Sequence, residues 1–167
     1  MSRVITFSRT YPSYHLRKGQ PTYFVEKIWD SLGLPLHQPT ILANGLNEEY
    51  LNFQRLGDDF IWPKHHTVRA GHRWKAGDWF SPRVWSGKPY NSKQIIIAPD
   101  IQIKKTYDFE LQGGKAFIHD FMELNNIGLS TISKNDGLLL NDFVGWFNDF
   151  SKSFSGQIII WNENINY

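Results

Sequence analysis

The sequence predicts an α+β fold, a small closed or partly closed β-barrel with short decorating helices. Short β-prone runs separated by Gly, Pro and Asn/Asp turn signals fill the chain from residue 62 onward. One clear helical period lies between residues 21 and 33. The 167-residue chain is 41% hydrophobic and 16% aromatic, which is enough apolar surface for one domain to bury a core and offset the entropy of ordering.

In chain order, Val4-Ile5-Thr6-Phe7 reads as a first strand, ended by Tyr11-Pro12-Ser13. Pro21 opens a helix in which Val25, Ile28, Trp29 and Leu32 fall at i, i+3, i+4 and i+7, with Gly33 as its stop. Leu34 to Thr40 reads as a loop, and Leu46 to Leu51 as a second short helix with Asn47 as N-cap. After Trp62-Pro63, strands are expected at Thr67–Arg69, Trp79–Phe80 and Arg83–Trp85, with turns at Ala70-Gly71, Ala76-Gly77-Asp78 and Ser86-Gly87. Gln94 to Ala98 is a buried strand. Ile101 to Leu111 is another, paired through Gln112-Gly113-Gly114 with Ala116 to His119. Asp142 to Phe147 forms a short helix, and Gln157 to Trp161 closes the chain as a strand. There is no internal repeat and no low-complexity tract, so residues 1–167 are taken as a single domain.

Composition excludes several kinds of chemistry. With no cysteine, disulfide frameworks, Cys-based zinc sites and thiol nucleophiles are ruled out, and a reducing compartment fits. No apolar stretch approaches the roughly 20 residues of a membrane span. The apolar part of residues 1–7 is too short for a signal peptide. The expectation is a cytoplasmic protein with no membrane partner. His65 and His66 are adjacent, and adjacent strand residues face opposite ways. No H-E-x-x-H pattern occurs, so neither a metal nor a cofactor is expected.

The net charge of +2 hides a segregation. Residues 64–93 carry Lys64, Arg69, Arg73, Lys75, Arg83, Lys88 and Lys93 against Asp78 alone, a segment of +6, which leaves −4 for the rest. Such a segment sets up a positive field that attracts anions; a solvated surface hairpin is the plainer reading of the same charges. Trp74, Trp79, Trp85 and Tyr90 interleave with it. Nucleobases stack on such rings, although a small barrel also uses them to fill its core.

Lys64-x-x-Thr67-x-Arg69, followed by Gly77-Asp78 in a turn, resembles the signature of ASCH domains in the PUA-like superfamily. Ser133-Lys134-Asn135-Asp136-Gly137-Leu138 before a short helix ending Trp146-Phe147 is also similar, and Ile5-Thr6-Phe7 resembles the first strand of that family. The resemblance implies a PUA-like barrel in which residues 11–60, without counterpart in the small members, form a helical insertion. Among those members are amidohydrolases that remove the acetyl group of N4-acetylcytidine with a lysine, a threonine three residues on and a later acid. The matching positions are Lys64 as base, Thr67 as nucleophile and Asp136 as proton shuttle. Two departures are evident: Trp62 stands where the family has a glycine, and the aspartate replaces a glutamate. Other ASCH proteins are linked to RNA, so the resemblance implies either an enzyme acting on a nucleoside or RNA ligand, or a non-catalytic RNA-binding module that uses residues 64–93.

The chemistry is coherent on its own terms. A threonine hydroxyl needs a neighbouring base, and a lysine serves if burial or nearby positive charge lowers its pKa. Arg69, Arg73 and the histidines are placed to supply that charge. His66, Arg69, Arg73, Lys75, Arg83 and Trp85 are the candidate ligand-binding residues. One geometric condition follows. On a regular strand, positions i and i+3 face opposite ways, so Lys64 and Thr67 meet only if the backbone turns between them, near Pro63.

Overall fold

The computed structural model describes residues 2–34, 62–119 and 122–167; the expected loop from Leu34 onward and the helix at Leu46–Leu51 lie, apart from Leu34 itself, outside them. The described strands form two sheets. The first joins β1 (Arg3–Phe7), β3 (Trp79–Trp85) and β4 (Gln94–Ile96), with β5 (Ile101–Gln102) also pairing β3. The second runs β2 (His66–Ala70), β9 (Phe154–Ile160), β6 (Lys105–Gln112), β7 (Lys115–Ile118), β8 (Met122–Glu123), antiparallel throughout. Among the described residues three helices accompany them: α1 (Phe24–Ser31), α2 (Asn126–Asn135) and α3 (Leu140–Trp146). Among the described residues, no strand ladder joins the two sheets into a closed barrel.

The architecture follows from where apolar side chains can go. β9 is the central strand of its sheet, paired with β2 on one side and β6 on the other, and Ile158, Ile159 and Ile160 are all fully buried. A strand covered on both faces reads as a continuous apolar run rather than an alternation. Paired residues share a face, so Val68, Ile158 and Tyr107 lie on one side, and Thr67, Ile159 and Thr106 on the other. The first side is covered by α2 and α3: Phe143 and Phe147 pack on Phe109. The second faces the other sheet, where Arg69 Nη2 donates to the Thr6 carbonyl and Gln157 exchanges two hydrogen bonds with the Trp74 backbone. Phe7, Phe80 and Trp161 meet at 5.7–6.5 Å between ring centroids and join the sheets.

Three elements differ from the sequence reading. Trp79–Phe80 and Arg83–Trp85 belong to one strand, because β1 pairs with β3 along residues 80–84 while β5 and β4 take turns on the other side. Pro82, which has no N–H to donate, sits between the stretches paired with β5 and β4. Ile101–Leu111 divides into β5 and β6, because Ile103 N–H turns to the Asp78 carbonyl and Lys104 N–H to that of Ile160. Helix α2 has no strong sequence signal. Its Asn, Gly, Ser and Thr residues are weak helix formers; it is held by an Asn125 N-cap, whose side chain accepts Gly128 N–H, and by burial of Ile132.

The described part of residues 11–60 is integral to the core. Helix α1 buries Phe24, Val25, Ile28 and Trp29, and Trp29 Nε1 donates to the Ile97 carbonyl. No helix among the described residues is long and apolar enough to cross a membrane.

Candidate functional site

The site begins with how α2 ends. Asp136 is the C-cap residue (φ −78°, ψ 0°) and Gly137 follows in the left-handed region at φ +73°. Leu138 N–H returns to the Ser133 carbonyl and Gly137 N–H to that of Lys134. This is the Schellman arrangement, which closes a helix and fixes the residue before its glycine. Gly137 is required on two counts: its φ disfavours an L side chain, and a Cβ there would crowd Lys27 and Lys64.

The segment before β2 is stitched to this helix end. Lys64 N–H donates to the Lys27 carbonyl of α1, His65 N–H to the Asn135 carbonyl of α2, and the His65 carbonyl accepts Trp161 N–H. Lys64 thus stands outside the strand ladder, and the alternation that would separate it from Thr67 does not apply. Its Nζ donates to Asp136 Oδ1 at 2.6 Å and to the Asp136 carbonyl at 3.0 Å, over the Phe24 ring at 4.2 Å. A second buried lysine, Lys27, donates to the Gly137 carbonyl at 2.7 Å. Both cations meet the carbonyl end of α2, where the helix dipole favours positive charge.

Lys64 is 1% exposed and Asp136 7%. Burial pushes the Lys64 amine down; Asp136 opposes the shift and Arg69 reinforces it. Burial pushes the Asp136 carboxyl up, against the pull of Lys64, Arg69 and Lys27. Both shifts favour a neutral amine beside a protonated acid, so the proton is less firmly assigned to the amine than in a solvated ion pair.

Lys64, Thr67, Arg69, Trp85 and Asp136 all line one cavity of about 470 Å³. It opens along the edge of β2 that pairs with no described strand, with Thr6 to Ser8, Trp85, Pro89 and Tyr90 on one side and Phe143, Trp146 and Phe147 on another. That size, with aromatic walls beside the polar groups of Lys64, Thr67, Arg69 and Asp136, suits a small organic ligand. Thr67 sits on the β2 face turned toward β1, and its hydroxyl has no hydrogen-bond partner among the described residues. Arg69, two residues on and on the same face, carries a second positive charge to the lining; its Nε is buried without a partner among the described residues. Burial lowers the Arg69 pKa as well, but a guanidinium stays charged.

Other candidates fall elsewhere. His66 is fully buried behind Asp136 and is not part of the wall. Arg73 and Lys75 lie exposed on the connection between β2 and β3. Arg83 is half-buried on β3 and donates to Ser81 and Gln94. The charge segment thus divides between the cavity and the surface. Lining residues not expected to bind ligand include Phe143, Trp146 and Phe147, which the sequence places on a short helix, and Phe154. Tyr90 is 87% exposed, adopts φ +64° and packs against Trp85 at 5.4 Å. Among the described residues, no group of three or more His, Cys, Asp or Glu side chains is placed to hold a metal. No protein-family model, curated protein or solved structure matches the chain.

Proposed function

We propose that the chain is an ASCH-type, PUA-like protein that takes a nucleoside or RNA-derived ligand into this cavity and cleaves N4-acylcytidine-like amides. The observation that carries this reading is the meeting of Lys64, Thr67 and Asp136 on one cavity, with Lys64 Nζ 2.6 Å from Asp136 Oδ1. The Thr67 hydroxyl attacks the amide carbon while the neutral Lys64 amine takes its proton. Arg69 offsets the charge that develops on the carbonyl oxygen. The departing amine leaves with a proton delivered through the Lys64–Asp136 pair, and water then hydrolyses the threonyl ester to release the acid. Trp85, Tyr90 and Trp146 offer ring faces to a planar base.

The test is incubation with a panel of N4-acylcytidines, following cytidine release. Thr67→Ala is expected to lower turnover at least about a hundredfold while the circular dichroism spectrum is unchanged. No release from any member of the panel sinks the amidohydrolase reading.

A second reading, an RNA-binding module without catalysis, is favoured by one observation: the charged groups of Arg73, Lys75, Lys88 and Lys93 are exposed and free of any hydrogen bond or ion pair among the described residues. It requires an affinity for single-stranded RNA that falls steeply with salt and survives Thr67→Ala.

A further inference from the structure

The ASCH resemblance and the cavity leave the buried His66 without a task. His66 is 0% exposed, sits on the helix-covered face of β2, and its Nε2 lies 2.9 Å from the Ile132 carbonyl of α2. A carbonyl only accepts, so Nε2 carries the proton and donates it there. Nδ1 is then a bare lone pair. It has no hydrogen-bond partner among the described residues, and it faces Asp136 Oδ1 at 3.5 Å. Two acceptors facing each other in a buried site repel unless a proton lies between them.

We propose that His66 is a positioning residue for the Lys64–Asp136 pair: its Nδ1 lone pair holds the shared proton on Asp136 and so leaves Lys64 as the neutral amine. The step balances within the pair. The N–H bond of the Lys64 ammonium breaks, an O–H bond forms on Asp136 Oδ1, and that hydrogen is directed at His66 Nδ1. No proton enters or leaves, and the pair passes from two charges to none. Removing charge from a buried site is favourable in itself, and the imidazole adds an acceptor that only the protonated carboxyl can use.

The surroundings of Asp136 set the balance. From β2 and the segment before it come Lys64 and Arg69, both of which favour the carboxylate, and from α1 comes Lys27 on the neighbouring Gly137 carbonyl. Tyr167 packs edge-on to the His66 ring at 5.7 Å, its hydroxyl accepting from Asn135 Nδ2. Three cations therefore pull toward the charged form, and the bare nitrogen opposes them. His66 itself stays neutral, since burial holds its pKa well below the usual value. A side chain that packed only for shape would be expected to be aliphatic at this fully buried position.

This inference deepens the proposed reaction, because a neutral Lys64 is what that reaction needs, but it is tested without substrate. The probe is the side-chain carboxyl carbon of ¹³C-labelled aspartate, with Asp136 assigned by its loss in Asp136→Asn. Two variants separate the roles of the ring. His66→Gln keeps a donor for the Ile132 carbonyl and removes the Nδ1 acceptor. His66→Asn puts an amide donor toward Asp136 instead. The Asp136 midpoint is expected to fall by about one pH unit in His66→Gln and further in His66→Asn, since hydrogen bonding to the charged form lowers a carboxyl pKa. An unchanged or raised midpoint in a folded variant overturns the proposal. Should neither variant fold, the ¹⁵N resonances of the His66 ring in the wild type decide: a protonated Nε2 with an unprotonated Nδ1 is required, and a proton on Nδ1 overturns it. Where the amidohydrolase assay gives turnover, His66→Gln moves the acid limb of kcat/KM to higher pH, slowing the reaction about tenfold on that limb. Absence of turnover together with the expected change in the carboxyl midpoint would sink the proposed reaction and leave this inference standing.

Discussion

Glu26 shows what a single buried charge costs this protein. It is 1% exposed on α1, its Oε2 has no partner among the described residues, and burial pushes its carboxyl up to about 7 against the pull of Lys27 and Arg9. Because the folded value lies above the unfolded one, protonation favours the native state. The stabilising contribution is fully present below the unfolded carboxyl value of about 4.5 and is lost as pH rises to about 7. Glu26→Gln keeps the shape and removes the titration. Its stability relative to wild type should improve between pH 5 and pH 8 by about 3 kcal/mol, since each pH unit between the unfolded and folded values is worth about 1.4 kcal/mol. Urea unfolding of both proteins at the two pH values measures it, and a constant difference would refute the assignment. At this scale, the resemblance to ASCH domains points to Lys64, Thr67 and Asp136, whereas Arg69 and Arg73 are both expected from the sequence to supply charge and bind ligand. Only the strand face separates them: Arg69 is on the ladder, on the Thr67 side, and Arg73 is beyond it.

The elements legible in the sequence are those whose period or apolar run shows in the pattern: β1, α1, β2, β4, β7, α3 and β9 all overlap their expected positions. Helix α2 is not legible. Its formation depends on caps at both ends and on Ile132 finding the sheet, which are contacts rather than propensities. β3 reads as two pieces because proline signals a break, and a local signal carries no information about partners that tolerate it. Tight pairing of β2 with β9 depends on Gly156, where a Cβ would overlap the Arg69 carbonyl. Gly156→Ala should therefore push β2 aside and destabilise the protein by about 1–3 kcal/mol, as overpacking does. The measurement is a lower urea midpoint at constant m-value; because β2 carries Thr67 and Arg69, ligand affinity should fall with it.

Across the whole molecule, the cavity exists because two sheets are held face to face by a few large rings. Phe80 is fully buried and meets Phe7, Trp74 and Trp161 within 6.5 Å. Phe80→Ala would leave a void that β-sheets cannot close by small movements, so a loss of about 3–5 kcal/mol is expected. Urea unfolding followed by tryptophan fluorescence would reveal it as an earlier cooperative transition. A loss below about 1 kcal/mol would mean that the rings do not hold the sheets together.

The sequence by itself determined the absence of thiol chemistry, the α+β character, the segregation of charge and the residue types at the motif. These are properties of composition and local period, which need no partner to be read. The tertiary structure decided which of the basic residues share a cavity, and that Lys64 finds Asp136 across 72 residues of chain. It also decided that His66 turns a bare nitrogen on the same carboxyl. The physical reason is common to all three. A side chain's direction is set by ladder register, helix caps and burial, and each of these forms only when distant segments pack together.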